Sequence, residues 1–468
     1  PKPSSAASDV YKRQVIIEGN GPDDGDTLDL DLPTGAISVD LETSTVDGFN
    51  AAGTTFYSGL QNVNVHAAGN TLTLRASGSN DSLEVTPLSP NSGFAQNDDE
   101  DPIVSYVGVA ANTLFVNLAA GDDSLTVHGS AAANAIGVDV PAGTVNVDGA
   151  IIDFNGGRPD DLVVNGAAGA DTFTVVTGVT PVSIDGGSPI GAAAGDRLIL
   201  NLAAAAAVLA EQGPESDEGV FTVGANAPLS FDHIEGATVN GVAGAILTVL
   251  GTNADDDITV TGNGNDDFTV SVNAGPAVQY NDFSDANLDG LAGDDDFDVA
   301  VNGLNGTAFN LIGGSPAVSG DSVTVTGLAG GADNAIYTPF SSNSGTLAVA
   351  GLTGGNAIFV TGVESLSYDG GSEDETLTVL GTAGADTIVH TPGAAVDAGN
   401  VMVNSLLPIS YSNLGFNGIV ALNGQGADDQ VVARGTAGDD EFDVEATTGS
   451  VQLTTVLGSH VLLTRIDA

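Results

Sequence analysis

Aspartate beside glycine-rich turns is the recurrent polar signature of this chain. The pattern is a glycine turn, one or two Asp, then a short alternating run. It occurs as GDDSLTV at Gly121, GADTFTV at Gly169, NDDFTV at Asn265, GDDDFDV at Gly293, GADTIV at Gly384 and GDDEFDV at Gly438. Ca²⁺ takes six to eight oxygen ligands from carboxylates and turn carbonyls. Double-Asp turns such as Asp122-Asp123, Asp266-Asp267 and Asp294-Asp295-Asp296 supply both. If such turns stack in register, their carboxylates fall roughly 5 Å apart, the inter-strand spacing, and repel unless cations intervene. Asp123, Asp171, Asp256, Asp267, Asp295, Asp386, Asp428 and Asp440 are therefore the candidate Ca²⁺ ligands, and Ca²⁺ the expected cofactor. The plainer reading is that each Asp forms an Asx turn, bonding its own backbone two residues on.

Other chemistry finds little support. His66, His128, His233, His390 and His460 never come closer than 62 residues in sequence, and no HExxH exists. There is no GxSxG elbow and no GxxxxGK[ST] phosphate loop. Without Cys there is no disulfide, thiolate metal site or Cys nucleophile. Asp pairs could serve a glycosidase, but they are so abundant that none stands apart. Polygalacturonase-like β-helix enzymes combine Asp clusters with His-Gly and Arg-x-Lys elements. His128-Gly129 is present, but no Lys follows residue 14. The expectation is a protein that is not an enzyme, with a polysaccharide-active β-helix enzyme as runner-up.

The 468 residues carry 61 acidic and 8 basic side chains, a formal charge of -53. Such a surface repels phosphate backbones and anionic lipid, so nucleic acid is excluded as a partner. No apolar run spans a bilayer. The longest, Leu202 to Ala210, is Ala-rich and reads as a short surface helix. Ser4 to Gln14, SSAASDVYKRQ, looks like the translation of a sequencing adapter, so residues 1–14 are set apart from fold reasoning. The acidity is also compatible with solubility in salt, but Asp outnumbers Glu 48 to 13 and clusters beside turn glycines.

The residues after each Asp alternate large apolar with Thr, Ser or acid, the mark of a strand with one buried face. LTVLGTNADDDITV at Leu247 recurs as LTVLGTAGADTIV at Leu377. GGSP at Gly186 recurs at Gly313, and Glu235 in IEG has a counterpart in Glu364 of VES. These three offsets, 130, 127 and 129, define a repeat. The expected copies are 15–180, longer by an extra sub-unit near 130–171, then 181–308 and 309–468. Spacings between Asp-marked turns cluster at 25–26 and 39–42 residues, which suggests solenoid rungs, some with an unmarked rung between. The expected fold is all-β: an elongated parallel β-solenoid with a thin core of Val, Ile, Leu and Phe ladders. A string of antiparallel β-sandwich domains is the rival, kept open by irregular inserts such as Ser89 to Pro102.

GAAGADTFT at Gly166, GTAGADTIV at Gly381 and GTAGDDEFD at Gly435 each resemble the GGxGxDxUx nonapeptide of the repeats-in-toxin calcium β-roll, departing only at Ala167, Thr382 and Thr436. That family runs its nonapeptides in tandem and shares each calcium between turns; here the turns are scattered. The chain also resembles large bacterial secreted and surface proteins built from GTAGDDTFTV-like units. The resemblance implies an extracellular or cell-surface structural or adhesive repeat protein whose Asp-rich turns bind Ca²⁺. Its partners would be calcium ions and either cell-envelope polysaccharide or copies of itself. A metal-independent acidic surface scaffold is the further alternative.

Overall fold

The structure is a computed structural model. It describes residues 15–19, 25–31, 35–48, 54–98, 102–191, 195–264, 267–273, 275–304, 306–316, 320–328, 330–331, 333–349, 357–445, 447–455 and 457–465. The adapter-like segment and Asp266 lie outside them. The chain is 57% strand and 1% helix and forms a parallel β-solenoid of about 11 turns. It divides into two compact units, residues 1–201 with 225–236, and residues 202–224 with 237–468. This division follows contacts, and its borders are not those of the sequence repeats.

In the first unit the chain alternates between two stacks of strands. One stack takes Ile37–Asp40, Leu72–Arg75, Thr113–Asn117 and Ala150–Asp153 as parallel neighbours. The other takes Ser82–Ser89, Ser124–His128, Asp161–Asn165, Val182–Asp185 and Leu229–Asp232. Most strands bury alternate residues, as in Thr172–Val176, where Phe173 and Val175 are buried and the Thr side chains half-buried. Branched and aromatic side chains suit such a half-buried pleat. One rung cannot bury its own apolar edge, so the stack stabilises collectively.

The two rung lengths have one cause. A bare rung is one strand in each stack. In a long rung one stack receives three strands, out, back and out again. Ser82–Ser89, Ser92–Asn97 and Ile103–Val107 form such an antiparallel meander, as do Ala135–Asp139, Thr144–Val147 and Ala150–Asp153. The longer spacings are thus not an unmarked rung but a meander added within one stack. The insert after Ser89 holds the meander's return strand, and the extra segment near 130–171 holds the second meander.

The second unit repeats the scheme. Asp257–Gly264, Asp296–Ala300, Ser322–Thr326, Ser365–Asp369 and Ile409–Ser412 stack in parallel. Ala308–Ile312 and Ile358–Thr361 belong to the opposite stack, with Asn334–Ser341, Thr376–Leu380 and Ile419–Asn423. Meanders recur at Asn334–Ser341, Ser344–Val349 and Ile358–Thr361, and at Thr387–Pro392, Gly399–Val403 and Ile409–Ser412. The run read as a helix is instead a bend followed by the strand Ala207–Gln212, paired with Ile246–Leu250 and Gly219–Val223. Alanine's helix propensity is a weak prior. Burial of Val208 and Ala210 in a sheet overrides it.

Candidate functional site

One kind of corner between stacks delivers an acidic or amide residue to the position just before a strand, and along most of both units its side chain is buried there. Asp81, Asp123, Asp171, Asp196, Asp256, Asp295, Asp321, Asp333, Glu375 and Asp386 are all buried, with Asn134 at the same kind of position. Consecutive rungs link these residues directly. The Asn134 amide N–H donates to Asp171 Oδ1 (2.6 Å), the Asp171 N–H to Asp196 Oδ1 (2.6 Å), and the Asp196 N–H to Glu235 Oε2 (2.5 Å). In the second unit Asp256 donates to Asp295 (3.0 Å), Asp295 to Asp321 (2.9 Å) and Asp321 to Glu364 (2.8 Å). The Asp81 N–H donates to Asp123 Oδ1 (3.0 Å), and the Asp386 N–H to Asp429 Oδ1 (2.9 Å). Asp123, Asp171, Asp196, Asp295, Asp321, Asp429, Glu235 and Glu364 therefore each accept a main-chain N–H from the rung before, at the point where strand pairing has not yet begun.

An outer row runs the opposite way. The Asp122 N–H donates back to Asn80 Oδ1 (3.0 Å), the Asp294 N–H to Asp255 Oδ1 (2.9 Å), and the Gly320 N–H to Asp294 Oδ1 (3.1 Å). Double-Asp turns thus clamp adjacent rungs in both directions. Where a meander begins, the return strand adds a pin: Asn97, Asn273 and Asn404 donate Nδ2 to Oδ1 of Asp81, Asp256 and Asp386 at 3.0, 2.6 and 2.6 Å.

A glycine five residues before the acid makes room for it. A Cβ on Gly166, Gly251 or Gly381 would lie 2.5–2.6 Å from Oδ2 of Asp171, Asp256 or Asp386, respectively. The residue after that glycine decides the fate of Oδ2. Thr252 and Thr382 each donate their N–H to it, at 2.6 Å. Ala167 and Leu291 instead adopt φ of 71° and donate to Asn165 and Asp289 Oδ1, in Asx turns. Gly187, Gly314 and Gly371, which follow glycines ten, eight and five residues before Asp196, Asp321 and Glu375, take the same left-handed conformation. In those corners Oδ2 of Asp171, Asp196, Asp295 and Asp321, and Oε2 of Glu375, are buried without a hydrogen-bond partner.

The electrostatics follow. Burial pushes Asp171 and Asp295 up to about 6, partly offset by the accepted amide N–H and reinforced by neighbouring carboxylates. Burial also raises Asp123, Asp196, Asp321, Asp333 and Glu375.

Of the candidate ligands, Asp123, Asp171, Asp256, Asp295 and Asp386 sit in the buried ladder. Asp440 holds the equivalent corner, half-buried, with Thr436 Oγ1 donating to it at 2.8 Å. Asp267 is half-buried in the return strand Asp267–Val272, away from any corner. Asp428 is exposed, and its neighbour Asp429 occupies the ladder. Ladder members not among those candidates are Asp81, Asp160, Asp196, Asp321, Asp333, Glu375, Asp429, Glu235 and Glu364. The five-residue count from glycine would have separated Asp429 from Asp428, and the repeat landmarks Glu235 and Glu364 mark the ladder directly. Among the described residues no group of three or more His, Asp or Glu side chains is arranged to hold a metal ion.

The histidines disperse. His233 Nδ1 lies 2.9 Å from Asp185, and His66 Nδ1 lies 3.1 Å from Asp31. His390 is buried with Nε2 2.6 Å from the Tyr411 hydroxyl, and burial lowers it to about 4. No helix among the described residues is long and apolar enough to cross a membrane. No protein-family model matches the chain, and no curated protein matches it.

Proposed function

We propose that the chain is a structural repeat scaffold of the cell surface or extracellular space, in its metal-independent form. One observation carries this reading: the corner carboxylates are engaged by main-chain amides of the adjoining rung, so their role is to join rungs. The same groups recur along both units, whereas a catalytic cleft needs unequal groups converging once. Outward-facing asparagines add a second lattice, with Asn281 Nδ2 donating to Asn240 Oδ1 (2.8 Å) and Asn310 Nδ2 to Asn287 Oδ1 (2.9 Å). Such amide rows offer donors and acceptors suited to envelope polysaccharide, the partner this reading favours. The surface location rests on the resemblance to secreted repeat proteins.

Thermal unfolding in Ca²⁺, Mg²⁺ and EDTA at matched ionic strength tests the metal-independent form. Equal midpoints in all three are expected, because only screening of the negative charge changes. A rise specific to Ca²⁺ overturns it and restores calcium as the ligand of the Asp-rich turns.

A further inference from the structure

The ladder contains a contradiction that its hydrogen bonds leave unresolved. Asp171, Asp196, Asp295 and Asp321 are 0% exposed, and each has one oxygen satisfied by an amide and one satisfied by nothing. A buried ionised carboxylate with an unpartnered oxygen is costly, and such groups shift toward neutrality. The surroundings make matters worse. In the cleft that the corner glycine vacates, the orphan oxygen is joined by a carbonyl of the next rung. A Cβ on Gly166 would lie 2.5 Å from Asp171 Oδ2 and 2.6 Å from the Gly186 carbonyl. Gly186 is likewise flanked by Asp196 Oδ2 and the His233 carbonyl, and Gly313 by Asp321 Oδ2 and the Gly362 carbonyl. Acceptor is set beside acceptor.

The charged groups around each acid do not relieve this. Asp171 faces Asp196 and Asp148. Asp196 faces Glu235, Asp185 and His233, and His233 is itself bonded to Asp185. Asp295 faces Asp256, Asp321 and Asp255, and Asp321 faces Glu364, Asp294 and Asp296. No Lys or Arg is among them.

We propose that Asp171, Asp196, Asp295 and Asp321 are held as neutral acids, so that a column of protons compensates the buried ladder and the solenoid is most stable in mildly acidic solution. The proton supplies the donor that each orphan oxygen lacks. This inference rests on the metal-independent reading, since a bound cation would compensate the same oxygens. Burial raises these four groups above the ordinary carboxyl value, Asp171 and Asp295 to about 6. The folded chain then binds more protons than the unfolded chain between the two values. The stabilisation is fully present below the unfolded value of about 3.9 and lost as pH rises through the folded values.

The test is thermal unfolding of the full chain at about pH 5 and pH 8 in EDTA, with Asp171→Asn, Asp295→Asn and, as control, Asp256→Asn. Asn134 already shows that an amide fits a ladder position. The expected result is a parent melting at least about 3 °C higher at pH 5 than at pH 8, with Asp171→Asn and Asp295→Asn each shrinking that gap. Asp256, whose Oδ2 has the Thr252 amide, should lose stability equally at both pH values on conversion to Asn. Gaps identical in parent and the two variants overturn the proton column and leave the metal-independent scaffold standing. A Ca²⁺-specific rise at pH 8 that either variant abolishes overturns both. Should the variants not fold, carbon-13 titration of Asp side chains in the parent decides. Carboxyl midpoints near 6 support the column, and none above about 5 overturns it.

Discussion

Thr382 and Ala167 occupy one position in two corners, and the sign of φ separates their effects. Thr382 turns its N–H inward onto Asp386, and its Oγ1 donates to Oδ1 at 2.9 Å. Ala167, left-handed, turns its N–H outward and leaves Asp171 with an orphan oxygen. Thr382→Val removes the hydrogen bond to Asp386 and the acceptor of the Gly384 N–H (3.1 Å) while keeping the volume. It should lower stability by about 1.5–3 kcal/mol, read by denaturant unfolding. His390 supplies an opposing pH effect. Its folded value, about 4, lies below the ordinary 6.5, so its contribution is present at neutral pH and lost as pH falls between those values. His390→Gln, which preserves a partner for Tyr411, should raise the midpoint at about pH 5 relative to the parent and change it least at pH 8.

At the scale of the element, the corner and the meander do different work. The corner fixes register, because the acid accepts an amide from a set residue of the adjoining rung. The meander lengthens a rung without disturbing the stack, and its return strand pins the acid again through Asn97, Asn273 or Asn404. The two glycines of GTAGAD should therefore differ sharply. Gly381→Ala puts a Cβ 2.6 Å from Asp386 Oδ2 and should cost about 1–3 kcal/mol. At Gly384 the nearest atom to a new Cβ is Thr382 Oγ1 at 3.6 Å, so Gly384→Ala should be neutral or stabilise by about 0.4–1 kcal/mol. Chemical denaturation of the two variants measures both.

At the scale of the molecule, charge dominates. A formal charge of -53 repels itself, and screening should relieve it without regard to the cation's identity. NaCl is expected to raise the midpoint of thermal unfolding steadily, and Ca²⁺ to do no more at equal ionic strength. Acidification acts at two levels, reducing this general repulsion and loading the ladder. Comparing the pH 5 to pH 8 gap of the Asp→Asn variants with that of the parent separates the local part from the general one.

The strands, the repeat and the solenoid were legible in the chain itself. Period-2 alternation and the recurrence of Leu247–Val260 at Leu377 report burial on one face and a repeated unit, both local properties. Glu235 and Glu364 were visible as landmarks, though not as acceptors. What the carboxylates do was not legible, because their partners lie 25–43 residues away in the sequence. An Asp beside a turn glycine reads alike whether it binds its own turn, a cation or the next rung. Only the stacking of rungs brings the amide of Asn134 onto Asp171, buries both, and decides which oxygen is left without a donor.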